Sequence, residues 1–265
     1  MPKIVLALAP HPDDAEYYAG GTLAKFAREG AHVVIVVVTD GRCGSFRVDS
    51  ATLSGLREAE ARRGAAALGA QPPIFLGYAD YTLDTLPAGQ LRDRFIRLIR
   101  QHRPDIVVAE DAFAPGEVHP DHRAVALAAS DALAAATLPL VHPEHLAEGL
   151  QPHFVPEKYF YAEGGIGANM AVDVSETLPQ KLAALAEHKT QMEFLVEDVL
   201  KQAAQANLDV RAVIGEQSDD PAALVAWAMQ TQAAQVGRRY NVAYGEAFRY
   251  ARFHPFIEML LAGRD

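Results

Sequence analysis

Ile4-Val5-Leu6-Ala7-Leu8-Ala9 runs without a polar side chain almost directly into His11-Pro12-Asp13-Asp14-Ala15-Glu16. Such a run reads as a buried strand that delivers a histidine and two adjacent carboxylates at its carboxyl end. Open α/β sheets bind their ligands there. Desolvating charged groups without partners is costly, so the simplest explanation for three of them together is a bound divalent cation.

Outward from this stretch, Glu16–Glu29 has helical character and closes at Gly30, a suitable helix cap. His32–Thr39 carries Val33-Val34-Ile35-Val36-Val37-Val38, a β-branched run expected of a strand buried on both faces. Leu53–Leu68 reads as a second helix ending at Gly69, and Pro73–Leu76 opens a short strand. Gln90–His102 places Leu91, Phe95, Leu98 and Ile99 at helical spacing, Asp105–Ala109 is another apolar strand, and His122–Ala136 is an Ala-rich helix. This alternation predicts an α/β fold, a mostly parallel sheet with helices on both faces. Tyr159–Glu163 and Met170–Val174 add two strands and Pro179–Leu200 a long helix. We expect one domain over residues 1–265. Within it, 139–156, with four prolines and three histidines, is expected to be a lid loop. Residues from about 196 to 265 are expected to form a helical and aromatic C-terminal extension, with Tyr240, Tyr244, Phe248 and Tyr250 serving packing or oligomer contact.

Half of the residues are hydrophobic, and the formal net charge is −10. The first property describes a globular chain, and the second argues against a nucleic-acid partner, which calls for a basic patch. A single cysteine, Cys43, rules out an intramolecular disulfide and a thiolate metal cluster. Any metal must then be held by His, Asp or Glu. Met1-Pro2-Lys3 leads into the first strand without the pattern of a signal peptide, and no run approaches the roughly 18 apolar residues that span a bilayer. The expectation is a cytoplasmic protein with no membrane partner.

A second group, Glu117-Val118-His119-Pro120-Asp121-His122-Arg123, follows the Asp105–Ala109 strand and therefore reaches the same end of the sheet. His11, Asp14 and His122 would supply two imidazoles and one carboxylate and leave a position open for water, the ligand pattern of catalytic zinc, although the same donors also accept iron(II), cobalt or manganese. Zinc brings the pKa of its water towards neutrality. Asp13 would then act as general base, His119 would stabilise a developing oxyanion or protonate the leaving group, and Asp121 would orient the His119 imidazole.

The two histidine motifs together, with Gly20-Gly21, resemble those of the LmbE/PIG-L family of zinc-dependent N-deacetylases. Similar segments include Thr39-Asp40-Gly41 with Gly44-Ser45, Arg57-Glu58-Ala59-Glu60 leading to Ala67-Leu68-Gly69, Leu76-Gly77 with Asp80, Arg103-Pro104-Asp105, Asp173-Val174-Ser175 with Lys181 and His188 to Gln191, and Tyr244-Gly245-Glu246-Ala247-Phe248-Arg249. The resemblance covers most of the chain, with 196–236 unmatched. It implies a Rossmann-like fold, one zinc on His11, Asp14 and His122, Asp13 as base, His119 at the acyl intermediate and Arg57 on the sugar. It also implies a small amino-sugar substrate and a homo-oligomer, a trimer or hexamer. Glu117 departs from the arginine or tyrosine of the family pattern.

Each motif has a plainer reading. Asp13 or Asp14 could merely cap the following helix. Gly20-Gly21 fits close packing better than a phosphate cradle, since it lies in a helix and lacks the GxGxxG pattern. His142-Pro143-Glu144-His145 imitates the second motif, but no strand precedes it. Arg57 could lie on a solvated face beside Glu58 or Glu60, and Asp111 could support His119 or simply end a strand. As function, removal of an acetyl group from an N-acetylglucosamine-type amide leads. An amidase acting on a non-sugar amide or thiol conjugate comes second, and a nucleotide-binding protein last.

Overall fold

A computed structural model describes residues 1–215 and 220–263. The apolar run becomes β1 (Ile4–Ala9), followed by α1 (Asp14–Arg28), β2 (His32–Thr39), α2 (Ser50–Ala67), β3 (Ile74–Tyr78), α3 (Gln90–His102), β4 (Ile106–Glu110) and α4 (Pro120–Ala135). A short α5 (Glu144–Ala147) leads to β5 (Glu157–Tyr161) and β6 (Met170–Asp173), then α6 (Leu178–Ala186), α7 (Lys189–Gln205), α8 (Val210–Ile214), α9 (Pro221–Tyr240), β7 (Gly245–Ala251) and α10 (Pro255–Ala262).

The strands form one sheet in the order β3-β2-β1-β4-β5-β7-β6. β3 to β5 are mutually parallel, and β7 runs antiparallel to both of its neighbours. Because side chains alternate across a strand, β1 feeds two cores. Val5, Ala7 and Ala9 pack with Leu23 of α1 and Ala184 of α6, while Leu6 and Leu8 pack with Phe95 and Ile99 of α3 and Val125 of α4. Helices therefore cover both faces, as the alternation predicts. Among the described residues no helix is long and apolar enough to cross a membrane.

Three expectations need correction. The aromatic tail is not an appendage: β7 is inserted between β5 and β6, and Phe248 is fully buried against Tyr159. The long helix from 179 to 200 is two helices, α6 and α7, separated at His188, whose backbone (φ −86°, ψ 58°) is not helical. The 139–156 segment is no lid. Arg100 near the end of α3 donates to the carbonyls of Ala136, Leu138 and His142 and to Nδ1 of His145, and His153 bonds the Pro104 carbonyl. These ties fasten it beside the start of β4, the end of the sheet opposite His11 and His122.

Candidate active site

β1 and β4 are adjacent and parallel, so the loops leaving their carboxyl ends must meet. One carries His11 to Asp14, the other His119 to His122. Asp14 does not cap α1: its Oδ2 accepts from the His11 backbone N–H at 2.7 Å, and Asp13 makes no side-chain capping bond. The helix-cap reading of this motif fails.

Nδ1 of His11 lies 3.1 Å from Nε2 of His122 and 3.2 Å from Oδ2 of Asp14, which is 3.5 Å from Nε2 of His122. Ligands at about 2.0–2.1 Å from a tetrahedral zinc stand about 3.3 Å apart. The triangle therefore has the dimensions of three ligands around one divalent ion, and all three residues are buried. His119 adds a ring nitrogen within 4.8 Å of those of His11 and His122.

Each histidine of the triangle has carboxylates behind it. Nε2 of His11 is 3.1 Å from Asp80 and 3.5 Å from Asp121. Nδ1 of His122 is 2.8 Å from Oε2 of Glu110, a close contact short of good hydrogen-bond alignment. Such carboxylates fix the tautomer and orientation of a ligand imidazole. Burial opposes a charged His122, but Asp14 and Glu110 outweigh it and raise the imidazole to about 9. Burial likewise pushes Glu110 up to about 7, whereas His11 and the Cys43 N–H overcome it at Asp80 and bring that carboxyl down to about 2. A pocket holding so much carboxylate favours a cation.

His119 caps α4 by accepting the Asp121 backbone N–H on Nδ1 at 3.2 Å. Its proton is thereby left on Nε2. Burial, then the neighbouring His11 and His122, lower its pKa, which favours the neutral imidazole. The Asp121 carboxylate does not orient this ring. It accepts from the N–H groups of Tyr81 and Leu83 and braces His11.

Arg57 lies on the buried stripe of α2 with Leu53, Glu60 and Gly64, so the solvated-face reading fails. Its guanidinium donates to Asp13 Oδ1 at 2.5 Å and to the Gly41 carbonyl at 3.0 Å, which directs it towards the expected base. Asp111 does not touch His119 and instead pairs with Arg249 of β7. Glu117 accepts the His119 backbone N–H at 2.6 Å. Gly21 is a close-packing glycine, since a Cβ there would lie 2.7 Å from the Cβ of Val174. The sequence reading overlooked Glu110, whose signal was a lone carboxylate ending an apolar strand, as at Asp13. It also overlooked the wall supplied by Phe194 and Leu195 of α7, which lines the same cavity as His11, Asp13 and Arg57.

An open triangle of two imidazoles and a carboxylate, with a separate acidic side chain and a further imidazole on one cavity wall, is an arrangement that can support metal-assisted hydrolysis. Residues 6–133 match the family model PIG-L, GlcNAc-PI de-N-acetylase. Diacetylchitobiose deacetylase of Thermococcus kodakarensis is 34% identical over 191 residues, 71% of this chain and 70% of that one. A probable N-acetyl-alpha-D-glucosaminyl L-malate deacetylase 2 of Bacillus anthracis is 30% identical over 206 residues, 75% of this chain and 85% of that one. The solved N,N'-diacetylchitobiose deacetylase from Pyrococcus horikoshii matches with a TM-score of 0.75 at 27% identity, covering 97% of this chain and 88% of that one. The chain belongs to the PIG-L (LmbE) family of deacetylases, and it is an amide hydrolase.

Proposed function

We propose that this chain is a zinc-dependent N-deacetylase that hydrolyses the acetamido group of an N-acetylglucosamine-type sugar. The observation that carries the reading is the triangle of His11 Nδ1, Asp14 Oδ2 and His122 Nε2, with sides of 3.1 to 3.5 Å, open towards a cavity that Asp13 and His119 also line. The names of its relatives, both N-acetyl sugar deacetylases, supply the substrate class.

Zinc held there would polarise the acetamido carbonyl and acidify water. Asp13 takes a proton from the attacking water as the new C–O bond forms at the acetyl carbon. Nε2–H of His119 donates to the acetyl oxygen as negative charge builds on it, a contribution of several kcal/mol in such sites. Asp13 then passes its proton to the departing nitrogen, the C–N bond breaks, and acetate and a free amine leave. Arg57, bound to Asp13 and to the Gly41 carbonyl, is a positioning residue that keeps the base at the cavity wall. We further propose that the chain works as a homo-oligomer. The exposed apolar side chains of α10, Phe256, Met259 and Leu260, support this, and light scattering tests it.

The test is metal content and acetate release from N-acetylglucosamine conjugates, for wild type beside Asp13→Asn. We expect about one zinc per chain in both proteins, with turnover in the variant lower by about 10² to 10⁴. A wild type that binds no metal, or a variant of undiminished rate, would overturn the assignment.

A further inference from the structure

The mouth of the cavity has a composition that the shared chemistry does not require. Tyr17 of α1, Tyr81, and Phe194 and Leu195 of α7 give it apolar and aromatic walls. α7 lies outside the stretch 6–133 that matches the family model. The opposing loop, which contributes Cys43 and Gly44 to the lining, is clamped onto α7. Phe46 and Phe194 meet at 5.0 Å between ring centroids, Arg47 pairs with Glu197 at 2.8 Å, and Lys201 Nζ sits 3.2 Å from the centre of the Phe46 ring.

Apart from the three histidines of the candidate metal site, the charged side chains of the cavity lining are mostly acidic. Asp13, Asp14 and Asp80 line the cavity, and among the described lining residues Arg57 is the one lysine or arginine. Arg57 is spent on Asp13 and Gly41, and its remaining Nε is buried without a partner, packed where a Cβ on Gly41 would be. The flanking cations are also occupied: Arg42 pairs with Asp40, Arg47 with Glu197, and Lys201 with Glu197 and Phe46. Among the described residues that line or flank the cavity here, a carboxylate or phosphate entering beside the sugar would lose its water and meet no lysine or arginine without a partner. A neutral ring would meet aromatic faces and lose little.

Resting on the deacetylase reading, we infer that the site selects a neutral conjugate, one whose second moiety is an uncharged ring such as another sugar, over a conjugate whose second moiety is an anion. Phe194 is the specificity-determining residue.

Steady-state kinetics of the zinc-loaded enzyme on N,N'-diacetylchitobiose, N-acetylglucosamine and N-acetylglucosaminyl malate test this. The neutral disaccharide should exceed the malate conjugate in kcat/KM by at least about tenfold. Phe194→Ala should raise the disaccharide KM about tenfold, a larger loss than on the monosaccharide, with an unchanged urea-unfolding midpoint reporting an intact fold. Phe194→Arg should shift the ratio towards the malate conjugate. Equal or better turnover of the malate conjugate by wild type overturns the inference but not the deacetylase reading, as does an equal loss on mono- and disaccharide in Phe194→Ala. No acetate from any of the three overturns the deacetylase reading, and this inference with it.

Discussion

Glu110 and Asp80 occupy matching positions behind the two histidines proposed to hold zinc, Glu110 at Nδ1 of His122 and Asp80 at Nε2 of His11. Losing such a carboxylate leaves the imidazole free to turn and less basic. We therefore expect Glu110→Gln to weaken zinc binding about 10- to 100-fold while the protein stays folded, read by competition against a chromophoric chelator. Zinc bound as proposed would also displace protons from His11 and His122, whose carboxylate neighbours outweigh burial and hold both above the usual imidazole pKa. Affinity should accordingly fall as the buffer is acidified from about pH 9 towards 6, and the same titration measures it. At this scale the residue types that line the candidate site were legible. Residue types capable of ligation stood at strand ends, where an apolar neighbourhood makes them conspicuous. The partners of each side chain were not legible. Asp121 was assigned to His119 because the two are close in sequence, yet the N-terminal turn of α4 sends its carboxylate to the Tyr81–Leu83 turn and to His11.

Between elements, the pair of Asp111 and Arg249 ties the end of β4 to β7, with contacts of 2.5 and 2.8 Å. Burial alone would push the Asp111 carboxyl up, but Arg249 and the Phe113 N–H hold it below its ordinary value. A carboxyl depressed in the folded state stabilises the fold above its unfolded pKa of about 3.9 and loses that contribution as pH falls through the folded value. Asp111→Asn should thus cost about 1.5–3 kcal/mol at pH 7, measured by urea unfolding. The gap to wild type should close as pH drops below about 4. β7 itself was hidden in the sequence. Its aromatic residues read equally well as a surface extension, because an antiparallel strand inserted late between β5 and β6 carries no local mark of its neighbours. The break at His188 was also unmarked, since nothing in Glu187-His188-Lys189 is a strong helix breaker.

Across the whole molecule, β7 is tied to α6 by a buried ion pair and to the first helix by two backbone hydrogen bonds. Lys181 of α6 meets Glu246 of β7 at 2.6 Å, and Glu246 also accepts the N–H groups of Gly21 and Thr22 in α1. Removing one partner of such a pair strands a buried charge. We expect Lys181→Met to destabilise the protein by about 3–5 kcal/mol in urea unfolding, and to loosen α1, the helix that Asp13 and Asp14 lead into. A cost below about 0.5 kcal/mol, the range of a surface substitution, would show that the pair contributes nothing. What the sequence alone determined was the α/β alternation, the parallel core from β1 to β5, and the identity of the histidines and carboxylates at its carboxyl edge. Periodicity and burial are local properties, and the strand–helix–strand connection restricts topology tightly. What only the tertiary structure decided was the partner of each charged side chain, the insertion of β7, the placing of 139–156 away from the site, and the aromatic wall from α7. Those depend on contacts between residues tens to hundreds of positions apart, and no local pattern in a single chain encodes which of many compatible partners a buried group will meet.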